Sequence, residues 1–302
     1  MAFTAKDVMA LREKTGAGMM DCKKALTDAD GDMEKAMELL RERGIAKAEK
    51  KASRIAAEGS VLGYVEGNVG VLVEVNCESD FVSAGPKFKD IVLNVAKQIA
   101  KNKPATVEEL LAEECVFEAG KTVETYVKEQ VAVIGEKISI RRFIVKESDG
   151  YLTTYIHLGG KLGVLLDVSC DEVTDAVKET AHDVTLQIAF SKPSYLTQAD
   201  VPAEVLEKEK AILKETAINA GKKPEIAEKM VMGGVKKFYS ENCLLDQAFI
   251  KDDKKTIAQI VKAAGSGMAI KSFSFFVMGE GLEKKQEDLG AEVAKQVAEM
   301  KK

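Results

Sequence analysis

The chain has 302 residues, of which 46% are hydrophobic and 31% charged, as expected for a soluble globular protein with two or three domains. Its net charge of −5 argues against binding nucleic acid over a large basic surface. Its two histidines argue against a histidine-rich metal site, and its lack of tryptophan argues against platforms on which bases stack. No run approaches the roughly 18 apolar residues that cross a bilayer, and no apolar signal-peptide core is present. Five scattered cysteines indicate reduced thiols, so we expect a cytoplasmic protein without cofactor or metal.

Residues 1–54 are predicted to form three helices and a basic linker. Thr4 and Asp7 have the spacing of a capping box that starts the first helix, and Gly16-Ala17-Gly18 ends it. The third helix is expected to end at Gly44, a favoured residue after a helix. The lysine- and arginine-rich stretch that follows is interpreted as a solvated helical linker, with phosphate binding as the alternative.

One motif then occurs twice. Gly67–Cys77 recurs as Gly160–Cys170, displaced by 93 residues, whereas Gln98–Ala100 recurs at a displacement of only 89. The first copy therefore holds four more residues between its strand and its helix, and Asp80 and Phe81 fall in that stretch. A local addition to a duplicated scaffold indicates a task that the scaffold itself does not perform.

Each copy is predicted to form a three-stranded antiparallel sheet covered by helices, which is an α+β fold. Turn glycines mark both hairpins, at Gly67-Asn68 and Gly159-Gly160. The predicted strands are 61–65, 69–75 and 138–145, then 151–158, 162–169 and 270–278, and the predicted helices are about 87–100, 123–134, 173–190 and 256–264.

Two further elements complete the predicted domain organisation: an inserted antiparallel helical hairpin and a C-terminal helix. Alanine-, glutamate- and lysine-rich segments flank the hairpin turn before Pro224. The predicted units are 1–54, 55–146, 147–200 with 241–281, 201–240 for the hairpin, and 282–302 for the last helix.

Several residues have two readings on sequence grounds. Phe81 either projects as a contact or folds back onto its own core, as most loop phenylalanines do. Met19 and Met20 form either an adaptable contact surface or part of the small helical core. His157 is either a contact or an ordinary surface residue. No catalytic constellation is visible, because Cys77 and Cys170 occupy one repeated structural position and Gly120-Lys121-Thr122 lacks the first glycine of a phosphate loop.

Two longer segments identify a family. Thr15–Leu26 and Val75–Val82 resemble the two signature segments of bacterial elongation factor Ts, and Ile134–Arg142, Ile226–Met230 and Gly279–Lys284 are similar to further stretches of it. Glu78-Ser79 departs from the Gln-Thr that is more common there but keeps the polarity. The resemblance implies a ubiquitin-associated-like (UBA-like) first unit, a duplicated core and a coiled-coil hairpin.

The resemblance also implies a function: exchange of guanine nucleotide on elongation factor Tu, without bond chemistry. It implies that the Asp-Phe pair enters the GTPase domain and disturbs its magnesium and phosphate site. On charge and hydropathy grounds we expect no direct nucleic-acid or membrane partner, and the sequence leaves open a homodimer within a larger complex. The residues carried over as partner-binding are Arg12, Met19, Met20, Asp80, Phe81, Val82, Ile134, Gly135 and His157. The competing interpretation is an adaptor that binds proteins through its three-helix unit without affecting nucleotide.

Overall fold

The computed structural model describes residues 3–221 and 223–283. Helices and antiparallel sheets alternate along them, so the predicted α+β class is confirmed. The amino-terminal helices are α1 (Ala5–Thr15), α2 (Met19–Asp28) and α3 (Met33–Lys51). Thr4 and Asp7 cap α1 reciprocally, as predicted.

The first copy of the repeat builds one sheet with strand order β1-β2-β3. Its elements are β1 (Glu58–Glu66), β2 (Val69–Cys77), α4 (Asp80–Ala84), α5 (Pro86–Asn102), α6 (Val107–Ala112), α7 (Val123–Ile134) and β3 (Ser139–Glu147). Every residue of β2 is buried, because this central strand has α5 on one face and the second sheet on the other.

The second copy repeats that plan in a sheet with strand order β4-β5-β8. Its elements are β4 (Tyr151–His157), β5 (Leu162–Ser169), α8 (Asp175–Ser191), α9 (Ala203–Asn219), α10 (Pro224–Asn242), β6 (Ala248–Phe249), β7 (Asp252–Thr256), α11 (Ile257–Ala263) and β8 (Ala269–Val277), with 3₁₀ turns at Gln198–Asp200 and Leu244–Asp246. Helices α9 and α10 pack against each other as the predicted hairpin. The predicted C-terminal helix lies outside the described residues.

The structural repeat follows the sequence repeat. Helix α8 begins and ends 89 residues after α5, and both helices end at a lysine with positive φ, Lys103 and Lys192. Each sheet has its register shift at one equivalent position, Glu74/Val75 in the first and Asp167/Val168 in the second. Helix α4 follows β2, whereas β5 is followed directly by α8, so the connection that is four residues longer in the first copy holds this short helix.

The two sheets face each other through a small apolar layer. That layer contains Val61, Leu72, Leu152, Leu165, Phe276 and Met278. A backbone hydrogen bond also joins the units: the Val61 amide of the first sheet donates to the Gly160 carbonyl of the second copy at 2.8 Å. Because the outer faces carry α5 and α8, each unit has its own core behind its sheet.

Gly44 does not end the third helix, and that prediction was wrong. Helix α3 continues to Lys51 and packs along α7. A Cβ atom at Gly44 would lie 2.9 Å from the Ala132 Cβ, so glycine lets the two helices approach closely. Ala48 is buried in the first core, and the stretch predicted to be a solvated linker therefore covers α7 with one face.

No helix in the described ranges is both long and apolar enough to pass through a membrane. The domain boundaries given above stay a prediction.

Candidate partner-binding face

The residues added to the first repeat project an aromatic ring into solvent. The Phe81 side chain is 87% exposed, and Asp80 beside it is exposed as well. Val82 is half-buried and packs against the first core, which anchors the far side of α4. The alternative in which Phe81 folds back onto its own core is therefore not the observed conformation.

A carboxylate holds the backbone just before this ring. Glu136 Oε2 accepts hydrogen bonds from the Glu78 and Ser79 amides at 3.1 and 2.9 Å, and its Oε1 accepts one from the Ser79 hydroxyl at 2.7 Å. In return, Glu78 Oε1 accepts a hydrogen bond from the Lys137 amide at 2.6 Å. The Ser79 hydroxyl also accepts from the Val82 amide at 3.3 Å, which caps α4.

The thiol of Cys77 adds one more contact to this loop. Its Sγ lies 3.1 Å from the Ser79 carbonyl, to which it donates. Burial raises the pKa of Cys77 to about 12, so the thiol keeps its proton at neutral pH. A protonated, buried donor fits the predicted structural role of this cysteine.

The end of α7 lies next to the same loop. Ile134 is half-buried against the first core, and Gly135 ends the helix with φ of 88°, a conformation that favours glycine. Since Glu136 follows directly, its hydrogen bonds bring Ile134 and Gly135 together with Asp80 and Phe81. These four predicted site residues therefore lie in two adjacent segments of the fold.

The start of α2 carries two exposed methionines. Met19 and Met20 are both exposed, Met20 at 73%, and neither belongs to the core of the three helices. The structure thus decides between the two readings in favour of a surface position. Gly16, just before them, packs against Val133 at the end of α7.

Arg12 is exposed on α1, one turn before Gly16, whose amide donates to the Arg12 carbonyl at 2.8 Å. The turn between α1 and α2, where Gly16 packs against Val133, brings the amino-terminal helices next to α7.

Sequence reasoning missed three cations that tie these parts together. Lys47 pairs with Asp21 at 2.9 Å, the Lys51 ammonium donates to the Gly135 carbonyl, and Arg54 pairs with Glu78 at 3.3 Å. The signal was the spacing of i and i+4 between Lys47 and Lys51, which places both on one side of α3, whereas Arg54 lies three residues beyond the end of that helix.

His157 lies apart from this group. It is exposed at the end of β4, and its Nδ1 is 2.9 Å from the Tyr155 hydroxyl. The Tyr155 ring also packs edge-on against His182. No hydrogen bond or ring contact within the described part of the chain joins His157 to the Phe81 loop.

Comparison with known proteins gives one consistent match. A family described as Elongation factor TS matches residues 78–280. Elongation factor Ts of Trichlorobacter lovleyi is 47% identical, with 97% of this chain and 98% of that protein covered. Elongation factor Ts of Clostridium perfringens is 49% identical with the same coverage, and that of Halothermothrix orenii is 44% identical over 98% of this chain and 99% of its own.

Proposed function

The chain belongs to the elongation factor Ts family, the nucleotide exchange factors of elongation factor Tu, and on that premise we propose that it binds elongation factor Tu carrying GDP and promotes GDP release. The observation that carries the proposal is the Phe81 ring, 87% exposed on a loop that one repeat has and its sibling lacks. Because the ring is exposed on a segment confined to one repeat, it is available for burial in a partner.

In the proposed mechanism, Phe81 enters an apolar pocket of the GTPase domain and Asp80 accompanies it. Insertion disturbs the magnesium and phosphate site of elongation factor Tu, and GDP leaves without any bond being made or broken by this chain. Thermodynamic linkage requires that the factor bind the nucleotide-free partner more tightly than the GDP-bound one, by the ratio in which it weakens GDP binding.

A wider contact is needed to hold the partner while the ring acts. Arg12, Met19 and Met20 would dock on the nucleotide-binding domain, with Val82, Ile134 and Gly135 supporting the inserted loop. His157 would touch another surface of the partner, since it lies on the second repeat. The exposure of Arg12, Met19, Met20, Gly135 and His157 supports this assignment. Action in the cytoplasm, without nucleic acid or membrane as a direct partner, belongs to the same proposal.

The direct test is release of a fluorescent GDP analogue from elongation factor Tu, followed with and without this protein. We expect release to accelerate with increasing factor and then to saturate. Binding without acceleration would contradict exchange and favour an adaptor.

Met20→Ala is expected to weaken docking without changing the release step. Truncating one exposed apolar side chain at a contact costs about 1–2 kcal/mol, so the factor concentration at half-maximal rate should rise roughly 5- to 30-fold. The maximal release rate at saturation should stay near the wild-type value, because the Phe81 loop is intact.

The matched control is Met232→Ala on α10, since Met232 is also 73% exposed but lies on the helical hairpin. Equal losses from the two substitutions would contradict a specific role for α2, and no loss from Met20→Ala would remove it from the interface.

A further inference from the structure

The exposed conformation of Phe81 needs a cause. A phenyl ring in water gains free energy by folding onto nearby apolar surface, and the first core lies next to the loop, where Val82 already packs against it. Something must therefore keep the loop backbone from turning the ring inward.

We propose that Glu136 is a positioning residue for exchange: its carboxylate clasps the loop before Phe81 and keeps the ring in the conformation that enters the partner. This inference rests on the proposed function and adds to it a residue that does not itself touch the nucleotide site.

The geometry of the clasp carries the inference. One carboxylate accepts three hydrogen bonds from two consecutive residues, Glu78 and Ser79, at 2.7–3.1 Å. Hydrogen bonds to a charged acceptor are stronger than neutral ones, and Glu136 is half-buried, which reduces competition from water. The Lys137 amide bonds back to Glu78, so the two segments hold each other from both sides.

The sibling repeat shows what the clasp replaces. There the Asp171 amide, equivalent to that of Glu78, donates to the backbone carbonyl of Ser266 at 2.8 Å, and Ser266 is the equivalent of Glu136. A backbone carbonyl reaches only that first amide. The longer glutamate side chain also reaches Ser79, which belongs to the added segment, so the side-chain clasp and the added loop occur together in the same repeat.

The expected consequence is kinetic. A loop that is already ordered loses less conformational entropy when it inserts than one that must be ordered in the complex. Loss of the clasp should therefore slow nucleotide release at saturating factor and leave docking through α2 unchanged.

Glu136→Ala tests this in the full-length chain with elongation factor Tu and fluorescent GDP. We expect the maximal release rate to fall about 10- to 50-fold, which corresponds to the loss of a single charge-assisted hydrogen bond. Affinity for the GDP-bound partner should stay within about twofold. Glu136→Gln keeps an acceptor oxygen and should recover most of the rate.

Two comparisons separate positioning from a general structural role. In a Phe81→Ala background, Glu136→Ala should add little further loss, because it acts through the ring. Glu109→Gln is the control and should leave the rate unchanged. The Glu109 carboxylate, on α6, also accepts a hydrogen bond from a backbone amide, that of Ala105 at 2.8 Å.

The outcomes are distinguishable. If Phe81→Ala alone is impaired, then a wild-type rate for Glu136→Ala, or additive losses in the double variant, would overturn the positioning role of Glu136. If Phe81→Ala itself released GDP normally, the proposed function of the loop would fail instead. Thermal unfolding of each variant completes the test, because a positioning role predicts a midpoint near that of the wild type.

Discussion

Phe81→Ala is expected to lower the maximal rate of stimulated GDP release by about 30- to 1,000-fold, the range of a contact worth about 2–4 kcal/mol. A phenylalanine side chain buries about 150–250 Å² when fully enclosed, which sets an upper value of about 4–6 kcal/mol for its transfer from water. Because the ring is 87% exposed in the free protein, nearly all of that burial is available to the complex.

The same exposure predicts that the substitution leaves the fold intact. Phe81 is not part of the first core, so Phe81→Ala should change the free energy of unfolding by less than about 0.5 kcal/mol. Release should be measured by stopped flow at saturating factor, with unfolding followed separately in urea.

Phe190→Ala is the matched control, since Phe190 is 77% exposed on α8, at the surface of the second repeat. Normal release by the Phe81 variant, or an equal loss in the Phe190 variant, would contradict a specific role for insertion of the Phe81 ring.

Local sequence patterns were enough to predict most of the secondary structure. The Gly67-Asn68 turn and the alternation beside it are contained within a short stretch, and β1 and β2 form there as predicted. Helix α7 has the predicted bounds, 123–134, because a threonine cap and a terminal glycine delimit it. Because the motif occurs twice, the order of strands and helices predicted for the first copy also applied to the second.

Gly44 shows where local pattern fails. Its position after an amphipathic run is typical of a helix end, yet the helix continues because Ala132, far away in sequence, approaches it from α7. Close approach of two backbones leaves no mark in the surrounding residues, so sequence periodicity had no means of revealing it.

The candidate site was predictable in location but not in arrangement. Comparing the two repeats isolates Asp80 and Phe81 as an addition, without any structure. The direction of the ring depends on Glu136, which is 57 residues from Ser79 in sequence. It also depends on Lys51 of α3, which reaches Gly135, and on Arg54 beyond that helix, which reaches Glu78. Contacts at such separations require the folded chain.

Glu74→Gln is the second large effect we expect, on stability instead of exchange. The buried Glu74 carboxylate accepts hydrogen bonds from the Gly279 amide at 2.8 Å, Arg141 at 2.9 Å and Arg142 at 2.6 Å. Arg142 then reaches the second unit, where it donates to the Val277 carbonyl at 3.0 Å and lies over the Phe276 ring. One carboxylate thus joins the two repeats.

Neutralising it should lower the free energy of unfolding by about 2–3 kcal/mol, near the lower end for a broken buried ion pair, because both guanidinium groups are partly exposed and regain water. Urea unfolding at pH 7 measures the loss. An unchanged stability would show that Glu74 does not hold the repeats together.

The effect should also depend on pH. Burial by itself would raise the pKa of Glu74, but the hydrogen bonds from the Gly279 amide, Arg141 and Arg142 outweigh it and hold the pKa below its ordinary value. A lowered pKa in the folded state stabilises the protein above the unfolded pKa of about 4.3, and this contribution is lost as the pH falls through the folded value. The difference between wild type and Glu74→Gln should therefore be constant near neutrality and shrink below about pH 4.

Asp167 occupies the equivalent position in the second repeat and is the internal comparison. It is buried, but Ser148 is its hydrogen-bond donor, and its Oδ2 has no partner within residues 3–221 and 223–283. Lys271, equivalent to Arg141, pairs with Asp149 instead. Because asparagine can still accept from Ser148 and carries no charge to bury, Asp167→Asn should change stability by less than about 1 kcal/mol. Equal losses at the two positions would mean that burial in the sheet, and not the pair of guanidinium groups, sets the cost at Glu74.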